Sequence, residues 1–312
     1  MIMFRIIDLR SLIFIFLLII SLFPVFGQKN ADTSFKNTVD KKKLNTVVIT
    51  GSTICLGFAT GLYFVWYKDY PQSSFHFIND NGEWLQIDKI GHATTAYQMG
   101  MYGYDAFTWA GLNNTKSTIY AGIFGFAGLS IIEIMDGFST GWGASSGDLV
   151  ANFLGSSLFV SQQLLWKEQR LSLKYSFHST DYSYYRPDLL GKNYIQSTIK
   201  DYNGATYWLS ANIQSFLPDD SNFPKWINVA VGYGGDGMTG ANSNPLEYNG
   251  VPLPQTDRVR QFYLSPDIDL RRISTNNKAL RTTLKIISFI KIPLPTLEID
   301  ENGKVRFYPL YF

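Results

Sequence analysis

The chain has 312 residues, a net charge of +2 and only 17% charged residues, a balance that excludes a nucleic-acid binder steered by a basic face. Its one cysteine, Cys55, excludes an intrachain disulfide and a cysteine metal cage, and the scattered His76, His92 and His178 exclude a His-rich site. Low charge beside 19 Tyr, 23 Phe and 7 Trp suits a surface kept partly near lipid, and packed β-structure gives the same composition.

Met1 to Gly27 reads as a signal peptide, with an uncleaved anchor helix as the alternative: Arg5 and Arg10 supply the positive flank, Leu12 to Phe23 the apolar core, and Val25 and Gly27 the small-residue cut site. No cysteine lies at or just after the cut and Cys55 is too far along, so a signal-peptidase-II lipid anchor is not expected here. Residues 28–45 are polar, end in Lys41-Lys42-Lys43, and read as a solvated linker.

Four helices are expected between residues 46 and 168. Val47 to Trp66 carries no formal charge over 20 residues, about the length that crosses a bilayer. Asp88 to Trp109 is amphipathic, with Asp88, His92, Thr95 and Met99 on one face. Thr118 to Met135 contains Gly122, Gly125 and Gly128, which allow close backbone approach. Leu149 to Trp166 is the fourth. Short connections predict an antiparallel four-helix membrane-type bundle, so the fold class expected is α+β.

The ionisable residues on these apolar helices are few and ordered. Asp88 reads as a helix cap, and Asp148 as the acidic end of a capping box begun by Ser145. His92 alone reads as a hydrogen-bonded core histidine. Glu133 and Asp136 are different: they share a face at a helix C-terminus, where the dipole disfavours anions by roughly 0.3–1 kcal/mol. They therefore require a partner, and Lys89, His92 or a bound cation is on offer. His92, Glu133 and Asp136 are the candidate catalytic residues. His92, Glu133, Asp136 and Asp148 are the candidate ligands for a divalent metal, and Asp88, Lys89, Asp148 and Asn152 form the remaining polar network.

This order of motifs (Asp88-Lys89 with His92, Glu133 with Asp136, the Gly141-Trp142 turn, then Asp148 and a small-residue helix) resembles the YfiM-like family of predicted periplasmic lipoproteins, over roughly residues 85–160. The family has no established activity. The Asp-Lys-x-x-His opening and the Asp-x-x-x-Asn-x-x-Gly helix are also similar to VanZ-type membrane proteins. The lipoprotein cysteine is absent, and about 140 residues follow the resembling region.

From residue 171 to the C-terminus the period changes to alternation. Strands are expected at Leu171 to Phe177, Tyr207 to Ile213, Trp226 to Tyr233, Gln261 to Leu270, Leu280 to Ile290 and Lys304 to Phe312. Gly232 to Met238 lacks the Lys-Ser/Thr of a phosphate loop and is expected to be a strand-ending loop. Aromatic-rich strands and a terminal Phe312 resemble outer-membrane β-proteins, but six strands are fewer than the eight of the smallest closed barrel. A sheet packed on the helices is the economical reading.

The sequence thus predicts an exported, membrane-associated cell-envelope protein whose charges form a buried network. Two alternatives stand beside it: a membrane-embedded metal-dependent hydrolase acting on an envelope lipid or glycan, and a lipid- or partner-binding β-domain anchored by helices. No cofactor motif is evident beyond a possible divalent metal, and neither nucleotide nor nucleic acid is expected as a partner. Membrane lipid and other envelope proteins are. The expected location is the cell envelope, at the inner or the outer membrane, with periplasmic exposure.

Overall fold

The computed structural model describes residues 39–67, 70–218 and 220–312. The signal peptide and residues 28–38 of the linker lie outside these. The rest of the linker is corrected: Asp40 accepts from the N–H groups of Lys42 and Lys43, so helix α1 (Lys41–Leu62) begins inside the lysine run. It has no buried residue, and Ile49, Ile54 and Phe58 are all more than half exposed.

Helices α2 (Ile87–Trp109), α3 (Asn114–Gly137) and α4 (Ser146–Leu165) overlie the expected segments. Asn113 caps α3 through the Lys116 N–H, and Ser145 caps α4. The glycines do what their spacing implied. A Cβ on Gly125 would lie 2.4 Å from the Ala96 carbonyl oxygen, and one on Gly155 2.0 Å from that of Ala93. The backbones of α3 and α4 therefore touch α2, which brings their polar side chains within reach of one another. The expected four-helix bundle is a packed core of three helices; α1 buries no residue and touches the core near its N-terminus, where Leu44 and Val47 pack on the cluster around Phe107 and Leu112 and the Asp40 N–H donates to the Ala110 carbonyl. By length and composition, α1 and α3 are the two described helices able to cross a membrane, with a third of the α3 window buried.

Two short parallel strands, β1 (Phe77–Ile78) and β2 (Ala144–Ser145), tie the approach to α2 to the approach to α4. The C-terminal half forms a six-stranded antiparallel meander: β3 (Leu171–Phe177), β4 (Ala205–Asn212), β5 (Ile227–Asp236), β6 (Val259–Ile268), β7 (Leu294–Asp300) and β8 (Val305–Tyr311). Five of these were expected. Leu280 to Ile290 is instead mainly helix α5 (Lys278–Ile286), capped by the Asn277 side chain and followed by a short 3-10 turn. Leu280, Leu284 and Ile287 stand at helical spacing there, and this outweighs the Ile and Thr content. The Gly232 to Met238 segment is also corrected, since Gly232, Gly234 and Gly235 lie within β5; Gly232 sits under the Trp208 ring, where a Cβ would meet it at 2.8 Å.

The sheet has inverted polarity. Along β7, Thr296, Glu298 and Asp300 are buried while Leu297 and Ile299 are exposed. The buried charges are paired: Lys174 Nζ lies 2.6 Å from Asp267, and Glu298 binds Arg306 and the Tyr308 hydroxyl. α2 packs against β3 and β4, with Gln98 Nε2 donating to the Leu173 carbonyl and Gly91 lying against Tyr207. Sheet and helices thus share one interface.

Replacing Gly155 by Val should cost stability at the top of the range of about 1–3 kcal/mol for overpacking, and lower the thermal midpoint accordingly, since backbone rather than side chain must yield. Scanning calorimetry or circular dichroism melting of the detergent-purified protein checks this.

Candidate functional site

α2 is entered through three consecutive left-handed residues, Trp84, Leu85 and Gln86 (φ 48°, 52° and 64°). Such a run is strained, at about 1–2 kcal/mol per residue, and needs outside support. The Trp84 N–H donates to the Ala241 carbonyl, the Tyr233 hydroxyl to the Leu85 carbonyl, and Arg260 to the Gln86 side chain. All three partners come from the C-terminal half, which therefore sets where α2 begins.

The next residues enter a cluster drawn from several segments. Lys89 Nζ lies 2.5 Å from Asp80, 2.9 Å from Asp148 and 3.7 Å from Asp88. Ser145 Oγ donates to Asp80 and accepts from the Asp148 N–H at 3.1 Å, while the Ser145 N–H donates to Glu133 Oε2 at 2.9 Å. His92 Nδ1 is 3.0 Å from Asn152 Oδ1, and its Nε2 faces Glu133 Oε1 at 3.8 Å. Asp88 accepts from the Tyr202 hydroxyl, and Asp136 from that of Tyr67 at 2.7 Å.

These contacts correct two expectations. Asp88 does not cap α2: Gln86 holds the cap position without a side-chain bond, and Asp88 turns to Tyr202 and Lys89. The Ser145 box is half formed, because the Asp148 carboxylate goes to Lys89 and Glu133 takes the Ser145 N–H. Two of the four expected ligands, His92 and Asp148, lie together with Asp88. One ligand atom each from Asp88, His92 and Asp148 lies within 4.8 Å of the others, whereas Asp136 stands off on Tyr67.

Sequence reasoning passed over Asp80, Tyr67 and Tyr202. Asp80 sits in an Asn-Asp-Asn-Gly run that has the composition of a turn. The two tyrosines reach the cluster from 69 and 114 positions away along the chain, a distance no local pattern encodes.

Five carboxylates (Asp80, Asp88, Glu133, Asp136 and Asp148) share two basic groups, Lys89 and His92. Glu133 is 2% exposed, and its Oε1 has no hydrogen-bond partner. Burial opposes charge on His92, yet Asp88, Asp148 and Glu133 together lift it above the ordinary imidazole range. Burial and then the Asp88 charge push Asp148 up to about 6, outweighing the pull of Lys89. With the Nδ1–H hydrogen-bonded to Asn152, neutral His92 turns the Nε2 lone pair towards the carboxylates, as a metal-ligating histidine does.

Lys89→Met should cost about 3–5 kcal/mol, because it strands Asp80 and Asp148 without a counter-charge. Asp148 and His92 both hold protons more tightly folded than unfolded. The Asp148 contribution to stability is fully present below about pH 4 and is lost as pH rises through about 6. That of His92 is full below about pH 6.5 and is lost as pH rises through its raised value. Chelator-treated protein should therefore melt lower at pH 8 than at pH 5, and Asp148→Asn should flatten the slope. A melting series across this range checks both.

Residues 76–163 match the family described as predicted periplasmic lipoprotein (DUF2279), a span that runs from just before β1 nearly to the end of α4 and holds the whole cluster except Tyr67 and Tyr202. The match supports the YfiM-like resemblance and lends none to the VanZ-type one. No curated protein and no solved structure matches the chain. The matched family points to an exported protein associated with the cell envelope.

Proposed function

We propose that this is an envelope protein, held at a membrane by α1, whose helical core binds a divalent cation through Asp88, His92 and Asp148. The observation that carries the reading is the buried Glu133 Oε1, without a hydrogen-bond partner and facing His92 Nε2 at 3.8 Å in a cluster where carboxylates outnumber basic groups. Leaving a buried oxygen without a hydrogen-bond partner is costly, and a cation among these ligands relieves that cost. One imidazole with two carboxylates suits Zn²⁺ or Mn²⁺ better than a softer ion. Lys89 holds Asp148 and Asp80 in register, and Asn152 fixes the histidine tautomer.

A hydrolytic reading follows from the same residue. With a cation held by Asp88, His92 and Asp148, Glu133 would serve as general base towards a water it activates, with an envelope lipid or glycan as the substrate class. The competing reading, a purely structural network, has Lys89 and protonation of the carboxylates supply all the neutralisation.

Elemental analysis of the full chain, purified in detergent without chelator, separates the two. The cation reading predicts stoichiometric Zn or Mn in the wild type and its loss in His92→Ala, with Glu133→Gln retaining the ion. A metal-free wild type that stays metal-free after incubation with Zn²⁺ and Mn²⁺ would establish the structural network.

A further inference from the structure

The register of the six-stranded sheet sorts its side chains by rung. One outward rung reads Leu173, Leu209, Val231, Leu264, Leu297 and Phe307 across all six strands. The next outward rung reads Tyr175, Tyr207, Tyr233, Phe262, Ile299 and Val305. The inward rung between them reads Lys174, Trp208, Gly232, Tyr263, Glu298 and Arg306. Neither outward rung contains an ionisable carboxylate or amine, while the inward rung holds three charges.

The inward face is shut. Thr206 on β4 hydrogen-bonds Tyr311 on β8 at 2.9 Å, and Tyr311 stacks against Trp208 and Tyr263, so the sheet curls until its last strand lies over its second. The outward face is open. From Leu209 to Phe307 the first rung is between 37% and 65% exposed, and only the tyrosine end of the second rung packs on the α2 entry and its neighbours.

A sheet standing in water alternates the other way, with apolar side chains inward and polar ones out. We infer that the convex face of β4 to β8 lies against the hydrocarbon of a lipid bilayer. Three features select hydrocarbon over a protein partner. The Leu–Val rung offers no hydrogen-bonding side chain, whereas protein interfaces carry about one hydrogen bond per 100–200 Å². Its lack of charge complements acyl chains alone, and the chain has moved its charges to the sealed side, the alternation of membrane β-structure. Finally, α1 of the same chain is long, apolar and without a buried residue, which puts a membrane within reach. The inference does not rest on the cation site: it concerns other residues and stands whether or not a metal is bound.

The test uses the full chain with Cys55→Ser and a single cysteine at Val231→Cys, Leu264→Cys or Leu297→Cys, each labelled with an environment-sensitive fluorophore. Thr275→Cys, in the loop before α5, is the aqueous control. The protein is reconstituted into phosphatidylethanolamine–phosphatidylglycerol vesicles with brominated acyl chains. The three outward positions should be quenched several-fold more by bromine than by aqueous iodide, and Thr275→Cys the reverse. Iodide quenching at all four positions would overturn the inference. So would protection from both quenchers with disulfide cross-linking between unlabelled Val231→Cys chains, which would assign the face to a second copy. The metal content of the same preparation keeps the outcome separate from that of the cation site.

Discussion

A single ammonium group holds the helical core in register. Lys89 Nζ sits within 4 Å of carboxylates from the loop before α2, from α2 itself and from α4. Each of these charges would be costly to bury alone, and together they are tolerable only in one arrangement of the three segments. Glycines set the distance: without the close approaches at Gly125 and Gly155, the side chains of α3 and α4 would not reach those of α2. Packing brings the helices together, and the charges decide how they are aligned. The alignment leaves a remainder, because the cluster holds five carboxyl groups and two basic ones.

The C-terminal half completes this site from outside. Its backbone and side chains hold the left-handed turn at Trp84 to Gln86, and Tyr202 supplies the hydroxyl that Asp88 accepts. The residues beyond the family match are thus tied to the cluster by hydrogen bonds. They also form a sheet whose sealed polar interior and apolar exterior invert the usual order. One chain combines a buried charge network with an outward apolar surface, which is the distribution expected of a protein solvated partly by lipid.

Much of this was legible in the sequence. Helical periodicity and charge-free runs located all four long helices, and alternation located five of the six strands. The failures have physical causes. β7 was missed because Pro293 before it and Pro295 at its second position read as turn or edge residues. α5 was misread because Ile and Thr favour strands, while the Asn277 cap and the Leu280–Leu284–Ile287 spacing favour a helix. At the site, Lys89, His92, Glu133, Asp148 and Asn152 were picked out by standing on apolar helices. Asp80 was hidden by its turn-like surroundings. Tyr67 and Tyr202 were hidden because only the folded chain brings them to the cluster.

The central claim is that the carboxylate excess around His92 is balanced by a bound cation. Its most direct test is the thermal midpoint of the detergent-purified chain, stripped with chelator and titrated with Zn²⁺ or Mn²⁺ at pH 7.5. Binding to the folded state alone stabilises by about 2.7 kcal/mol at a hundredfold excess over Kd. The account predicts a midpoint that climbs with the logarithm of cation concentration in the wild type and stays flat in Asp148→Asn. A wild-type midpoint that does not move with either ion would contradict it.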